Sequence, residues 1–306
     1  MIEIAGAMSR SLLGTALLIA SATAYSTAGF FTRLIHVDAW TLLFWRGLFG
    51  GSFLAAVVLV QQRGRVLRAI RATGIEGVLV AILSAVATVC FLNAMRINTV
   101  ADVMVIDAAI PFFAAAMAWV ILGERESVWT LGATVVAFAG MAIMAGPAIV
   151  QGHFLGDLLA LAMAVAMALV IVLIRRKRGV SMVPAVCASA FLCALLVWPF
   201  AAPLQVTAGE FGFLALFGIS QFGMGLLLLA FGTPLVSATR GALIGVLQTP
   251  LGTLWVWLAF AEQPAVLTLV GGAVVLAAVL AEVLRPQPRA TPSAACSPRS
   301  ACAARS

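Results

Sequence analysis

Two aspartates, Asp102 and Asp107, stand inside the apolar run VADVMVIDAAIP, residues 100–111. A carboxylate at the centre of a membrane helix costs roughly 2.5–3.5 kcal/mol on insertion scales, so it is carried there to meet a partner, a proton or a solute. Two arginines share the situation: Arg46 in AWTLLFWRG and Arg240 in SATRGALIG. By the helical rise Arg46 lies about 9 Å, and Asp107 about 12 Å, below the outer end of its helix, so Arg46 reaches either aspartate by depth. Five residues apart, the two aspartates point about 140° away from each other and cannot both face one cavity squarely. One is expected to pair structurally. For each aspartate a fixed ion pair and a substrate-contacting or protonatable role both stand. Arg46 has the further option of snorkelling to the interface, and Arg240 sits among small residues that allow close helix approach.

The other polar residues within apolar runs are Tyr25, the only tyrosine, with Ser84, Thr88, Asn93, Gln221, Thr239 and Gln248. Each needs a hydrogen-bond partner, which a neighbouring helix supplies as readily as a cavity does. Trp40, Trp45 and Trp129 fall near expected interfaces, where aromatic belts form. Trp119, Trp255 and Trp257 lie deeper and, with Phe44, Phe91 and Tyr25, are candidates to line an apolar cavity or to face lipid. The candidate substrate-binding or gating residues are therefore Asp107, Asp102, Arg46, Arg240, Gln248, Tyr25, Trp255 and Asn93. Glu124, Glu126 and Glu262 sit in helix-connecting turns, where capping and the helix dipole account for them.

Catalytic and metal chemistry find no footing. The only histidines, His36 and His153, fall in outer loops, and the five cysteines, Cys90, Cys187, Cys193, Cys296 and Cys302, have no ligand spacing. There is no Gly-Lys-Ser/Thr phosphate loop, which excludes ATP-driven transport by this chain alone. No enzyme activity, metal, cofactor or nucleic-acid partner is expected.

The elements that must position these residues follow from composition. With 63% hydrophobic and 9% charged residues and a mean hydropathy of +1.14, this is an integral membrane protein. Cutting the chain at its Gly, Pro and charge clusters leaves ten runs near the length of about 20 residues that a bilayer requires: 12–34, 40–60, 74–93, 99–122, 128–149, 155–174, 182–201, 210–231, 235–260 and 265–284. The first is too long for a signal peptide and lacks a cleavage site, so it is expected to be retained. Residues 285–306, rich in Pro, Ser and Ala, are expected to form a disordered cytoplasmic tail.

Of the 18 basic residues, all but Arg33, Arg96, Arg46 and Arg240 fall on one side if both termini are cytoplasmic. The positive-inside bias therefore favours that orientation. The clusters RGRVLRAIR and RRKR, between the second and third and the sixth and seventh runs, read as topology signals.

The chain also resembles itself. A shift of 138 positions, from Ala118 to Val256, sets Trp119 on Trp257, Glu124 on Glu262, Val128 on Val266 and Thr130-Leu131 on Thr268-Leu269. It also sets Asp102 on Arg240, so equivalent positions carry opposite charge. A duplicated unit of five spans, five being odd, would sit inverted relative to its partner.

In PFFAAAMAWVILGERESVWTLGATVVAFAGMAIM and LGTLWVWLAFAEQPAVLTLVGGAVVLAAVL the chain resembles the EamA-type exporters of the drug/metabolite transporter superfamily. Their repeats each close with an apolar helix, a Gly-Glu turn and another helix, and the resemblance spans about residues 12–284. It implies an all-α membrane protein of ten transmembrane helices, arranged as two inverted five-helix repeats, residues 1–150 and 151–284, around a central cavity. It implies a multi-pass carrier of the bacterial inner membrane, surrounded by lipid, monomeric or weakly dimeric, moving a small metabolite by alternating access. Two departures stand out. The second turn is Ala261-Glu262, and Gln248 stands where relatives often carry Glu, which argues against proton coupling through that position.

A cavity mixing aromatic residues with Asp and Arg suits a zwitterion bearing an apolar side chain, so export of neutral or aromatic amino acids is the first expectation. An organic cation, a nucleoside or a vitamin is the alternative. A non-transporting sensor or assembly protein, or an intramembrane enzyme, is disfavoured by the absence of a soluble domain and of a catalytic constellation.

Overall fold

The structure is a computed structural model that describes residues 2–62, 65–97, 100–145, 154–261 and 263–285. The expected tail from residue 286 and Glu262 lie outside the described residues, as does the side chain of Asp102.

Among the described residues, ten helices are long and apolar enough to cross a membrane: α1 (Arg10–Leu34), α2 (Ala39–Gln62), α3 (Val66–Phe91), α4 (Val103–Leu122), α5 (Val128–Ala145), α6 (Phe154–Arg176), α7 (Val183–Phe200), α8 (Ala208–Leu235), α9 (Ala238–Phe260) and α10 (Val266–Leu284). They coincide with the ten runs expected from the sequence. Large apolar side chains such as Val60, Val120 and Leu258 point outward at 76%, 78% and 68% exposure, which suits a surface covered by lipid rather than water.

The most enclosed helices are α6 and α8, each with 56% of its apolar window buried against 22–33% for most others. The principal packed pairs are α1 with α8, α3 with α6, α2 with α7, α2 with α8, α3 with α7, α1 with α9, α4 with α6, α4 with α9 and α5 with α10. Glycine sets the closest approaches. On α2 a Cβ at Gly50 would lie 2.8 Å from the Gly218 carbonyl of α8, and on α5 one at Gly140 would lie 2.9 Å from the Gly271 carbonyl of α10.

Two spans are broken. In α4 an α-helix ends at Asp107 and another runs from Ile110 to Leu122; in α9 one ends at Gly245 and another runs from Gln248 to Phe260. Both breaks tighten to i→i−3 hydrogen bonds, Ala109 N–H to the Ile106 carbonyl and Leu247 N–H to the Ile244 carbonyl, 3.0 and 3.1 Å. The cause is local: Pro111 and Pro250 lack the N–H that the carbonyls of Asp107 and Val246 would otherwise accept. In α8 a π-helical stretch, Phe217–Gly223, wraps against α2.

The turns after the broken spans also match. Gly123 ends one at φ 67° and Ala261 ends the other at φ 53°, the one described non-glycine residue with positive φ. A left-handed residue costs an L-amino acid conformational energy that glycine avoids. Ala261→Gly is therefore expected to stabilise the protein by about 1 kcal/mol, read as a raised unfolding midpoint in detergent. At the opposite end, Asp38 caps α2, its Oδ1 accepting from the N–H groups of Trp40 and Thr41 at 2.9 and 3.0 Å. Partial burial pushes this carboxyl up, but the hydrogen bonds outweigh it and the pKa falls below its ordinary value.

Candidate functional site

The two breaks meet. Asp107, the last residue of the first half of α4, and Gln248, the first residue of the second half of α9, face each other across a cavity, and Gln248 Nε2 donates to Asp107 Oδ2 at 3.4 Å. At that length the bond is weak and easily exchanged for one to a solute. The cavity, about 100 Å3, lies between α1, α4, α6, α8 and α9. Tyr25 and Ser21 contribute one wall, Met167, Ile171 and Leu229 the apolar surface, and Gly241 and Gly245 a stretch where no side chain intrudes. A space of this size admits several waters or a polar head group, and is smaller than the roughly 300–1,000 Å3 of pockets that enclose a larger ligand.

Tyr25 reaches the cavity because α8 gives way to it: a Cβ at Gly225 would lie 3.0 Å from the ring. Ser21 donates to the Gly225 carbonyl at 2.8 Å and Gln221, in the π-helical stretch, to the Tyr25 carbonyl at 3.3 Å, so α1 and α8 are tied above and below the ring.

Arg46 does not pair with Asp107. Among the described residues no carboxylate lies within ion-pair distance of it. Its guanidinium instead sits over Phe222 at 4.3 Å and Phe217 at 5.8 Å from the ring centroids, and its Nε is buried without a hydrogen-bond partner. Depth alone could not show this, since the azimuth of α2 turns Arg46 toward α8.

The remaining candidates lie apart from the cavity. Arg240 is 5% exposed and donates to the Val283 carbonyl at the end of α10, 3.1 Å away. Close by, Glu282 is buried with one oxygen accepting from Thr130 at 3.2 Å. Trp255 donates from Nε1 to Ser26 Oγ at 2.8 Å and ties α9 to α1. Asn93 bonds back to the Val89 carbonyl of its own helix at 2.8 Å. Trp119 and Trp257 are 57% and 38% exposed, on the outer surface. Of the aromatic residues considered from the sequence, Tyr25 is the one that lines this cavity.

One feature escaped the sequence entirely. Glu124 accepts two hydrogen bonds from Arg175, Nε to Oε2 at 2.7 Å and Nη2 to Oε1 at 3.0 Å, and is also bridged by Arg178. The turn after α4 is thereby latched to the end of α6, at the end of the bundle where Lys177 meets Glu76 at 3.5 Å and Ser237 donates to Glu126 at 3.3 Å. Arg175 retains 10% of its side-chain exposure and Glu124 26%, so this pair is only partly desolvated. Glu124→Gln is expected to cost about 2 kcal/mol, because it weakens every acceptor of a nearly buried cation. Arg178→Gln, at a half-exposed position, is expected to cost less than about 1 kcal/mol. Unfolding midpoints of the two variants in detergent check the ranking.

Broken helices thus meet at a small, largely apolar cavity into which Asp107, Gln248, Tyr25 and Ser21 bring polar groups, inside an all-α bundle of ten helices long and apolar enough to cross a membrane. Comparisons with known proteins add a match to a family over the first half of the chain. Residues 12–146 match the EamA-like transporter family. A solved structure described only as the crystal structure of a protein is similar over 88% of this chain and 96% of its own, with a TM-score of 0.73 and 21% identity, a likeness of fold. No curated protein matches the chain.

Proposed function

We propose that this protein is a transporter, a secondary carrier that exports neutral or aromatic amino acids by alternating access. The observation that carries the reading is the pairing of Asp107 with Gln248 across the cavity at the two breaks, beside the Tyr25 phenol. A membrane-buried carboxylate held only by a weak amide bond is a ready partner for a substrate ammonium group. The cavity's small size fits a state in which both faces are closed around the head-group site, with the Glu124–Arg175 latch holding one face.

Two inverted units, residues 1–150 and 151–284, are the arrangement in which we read these parts. Exchanging each span with the one five places along turns α1–α8 into α6–α3, α1–α9 into α6–α4 and α2–α8 into α7–α3, while α2–α7, α4–α9 and α5–α10 map onto themselves. The breaks at Ala109 and Leu247 and the left-handed caps at Gly123 and Ala261 are each separated by the same 138 positions that aligned the sequence with itself. The basic clusters favour cytoplasmic termini, in a bacterium on this reading, with the latch on the cytoplasmic face. Gln248 cannot carry a proton, so coupling through that position is ruled out in favour of the substrate's own gradient or a proton site elsewhere.

The test is counterflow: proteoliposomes loaded with unlabelled phenylalanine and supplied with labelled phenylalanine outside, against protein-free vesicles. Transient accumulation above the control supports an aromatic amino acid carrier. Its absence with folded protein overturns that substrate and turns the search to organic cations, which Asp107 would also attract, then to nucleosides and vitamins.

A further inference from the structure

The start of α3 departs from a straight span. The helix that opens at Val66 continues to Ile97, but at Gly74 the backbone takes φ 63° and ψ −155°, a conformation that essentially only glycine adopts, so residues 66–73 form a short helix of their own. From Ile75 to Ile97 the remaining helix is about 34 Å long at 1.5 Å per residue, enough to cross a bilayer core of about 30 Å. Residues 66–73 are therefore not needed for the crossing and lie at its edge.

This short helix has three sectors. Val66, Ala69 and Thr73 turn to the bundle: Val66 packs on the core cluster that holds Met182 and Val183, and Thr73 is buried. At about 100° per residue, Ile70 and Leu67 come next around the axis, 50% and 62% exposed, and Arg71 and Arg68, both exposed, follow them. Protein, apolar and basic sectors in that order are the arrangement of a helix lying in a membrane interface. The charge is unbalanced. Among the described residues no carboxylate comes within ion-pair distance of Arg65, Arg68 or Arg71, and Glu76 is already held by Lys177 at 3.5 Å. That bridge also brings the RRKR end of α6 close to the break, where it adds further positive charge. A topology signal explains the sign of these residues. It does not explain why they share a helix with an exposed leucine and isoleucine on the adjoining sector.

We propose that residues 65–73 form an interfacial site for an anionic phospholipid. Leu67 and Ile70 enter the acyl boundary, and Arg68 and Arg71 hold the lipid phosphate, which the guanidinium fork matches in charge and shape. A headgroup with net negative charge is preferred over a zwitterionic one, whose own cation opposes the arginines. The site goes beyond the transport reading and stands whatever the cargo is.

Native mass spectrometry of the full-length protein in detergent, titrated with phosphatidylglycerol or with phosphatidylcholine of the same acyl chains, reads the affinity for the first bound lipid. In the wild type phosphatidylglycerol is expected to bind at least about tenfold more tightly. Arg68→Gln/Arg71→Gln should lose that preference with phosphatidylcholine binding unchanged, and Leu67→Ser/Ile70→Ser should weaken both lipids. Arg10→Gln, which removes a charge at the start of α1, should keep the preference. Arg68→Lys/Arg71→Lys, which keeps the charge and loses the fork, should fall between wild type and the glutamine variant, and serves where the latter fails to fold. Equal affinity for the two lipids in the wild type overturns the site, as does a preference that survives in the folded Arg68→Gln/Arg71→Gln variant. Loss of the preference in Arg10→Gln, or no effect of Leu67→Ser/Ile70→Ser, overturns it too, because the lipid would then be held by the basic surface at large. Displacement of phosphatidylglycerol by inorganic phosphate at the same concentration would make this a pocket for a free anion and likewise overturn it. None of these outcomes touches phenylalanine counterflow, so the lipid site and the transport reading fail separately.

Discussion

Asp107→Asn is expected to lower phenylalanine counterflow at least tenfold while moving the unfolding midpoint by no more than a few degrees. The two side chains have the same shape, and an asparagine can still accept from Gln248 Nε2, whose existing bond to Asp107 spans 3.4 Å and contributes little. What disappears is the negative charge on the cavity wall. A hydrogen bond to a charged group contributes about 1.5–3 kcal/mol, and each 1.4 kcal/mol is a factor of ten, which sets the expected loss. Counterflow and folded yield should be measured on the same preparations. Equal losses in both would make Asp107 a packing residue, and unchanged transport would remove it from the site.

The second large effect concerns folding. Gly271→Ala is expected to destabilise the protein by about 3 kcal/mol, the upper part of the range for overpacked interiors. The added Cβ would collide with the Gly140 carbonyl on α5, and would lie 2.6 Å from both Cγ and the backbone N of Met144. Backbone cannot swing aside as a side chain does, so α5 and α10 must separate. Gly272→Ala is the control: its Cβ would meet Pro250 at 3.4 Å, ordinary contact, and should change stability by less than about 1 kcal/mol. Chemical unfolding of both variants in detergent decides the matter. Similar midpoints would mean that the α5–α10 seam can relax.

The ten spans were legible because hydropathy and length are properties of each segment by itself. The run read as 40–60 is Ala39–Gln62, and that read as 210–231 is Ala208–Leu235. The breaks in α4 and α9 had a signal that was available, Pro111 and Pro250 in the interior of apolar runs, although nothing in the pattern said that the two breaks would face each other. Asp107, Gln248 and Tyr25 were recognisable as polar residues in costly places, and the fold gathers them around one cavity. Arg46 illustrates the limit. Its depth matched the aspartates, but its azimuth is set by Gly47 and Gly50 packing on α7 and α8, which turns it to Phe217 and Phe222. The latch was hidden for another reason: Glu124 and Arg175 are 51 residues apart, and the arginine stands in a cluster whose topological role already explained it.

The two proline breaks separate what the backbone fixes from what the cavity side chains fix. Proline supplies no N–H, so the carbonyl of Asp107 loses its donor at the fourth residue onward, and that of Val246 accepts instead from the Thr249 N–H at 3.3 Å. The breaks therefore belong to the main chain, and they persist whatever side chains stand at Met167, Ile171 or Leu229 on the cavity wall. Side-chain substitution can reshape that wall while leaving the bends that bring Asp107 and Gln248 together.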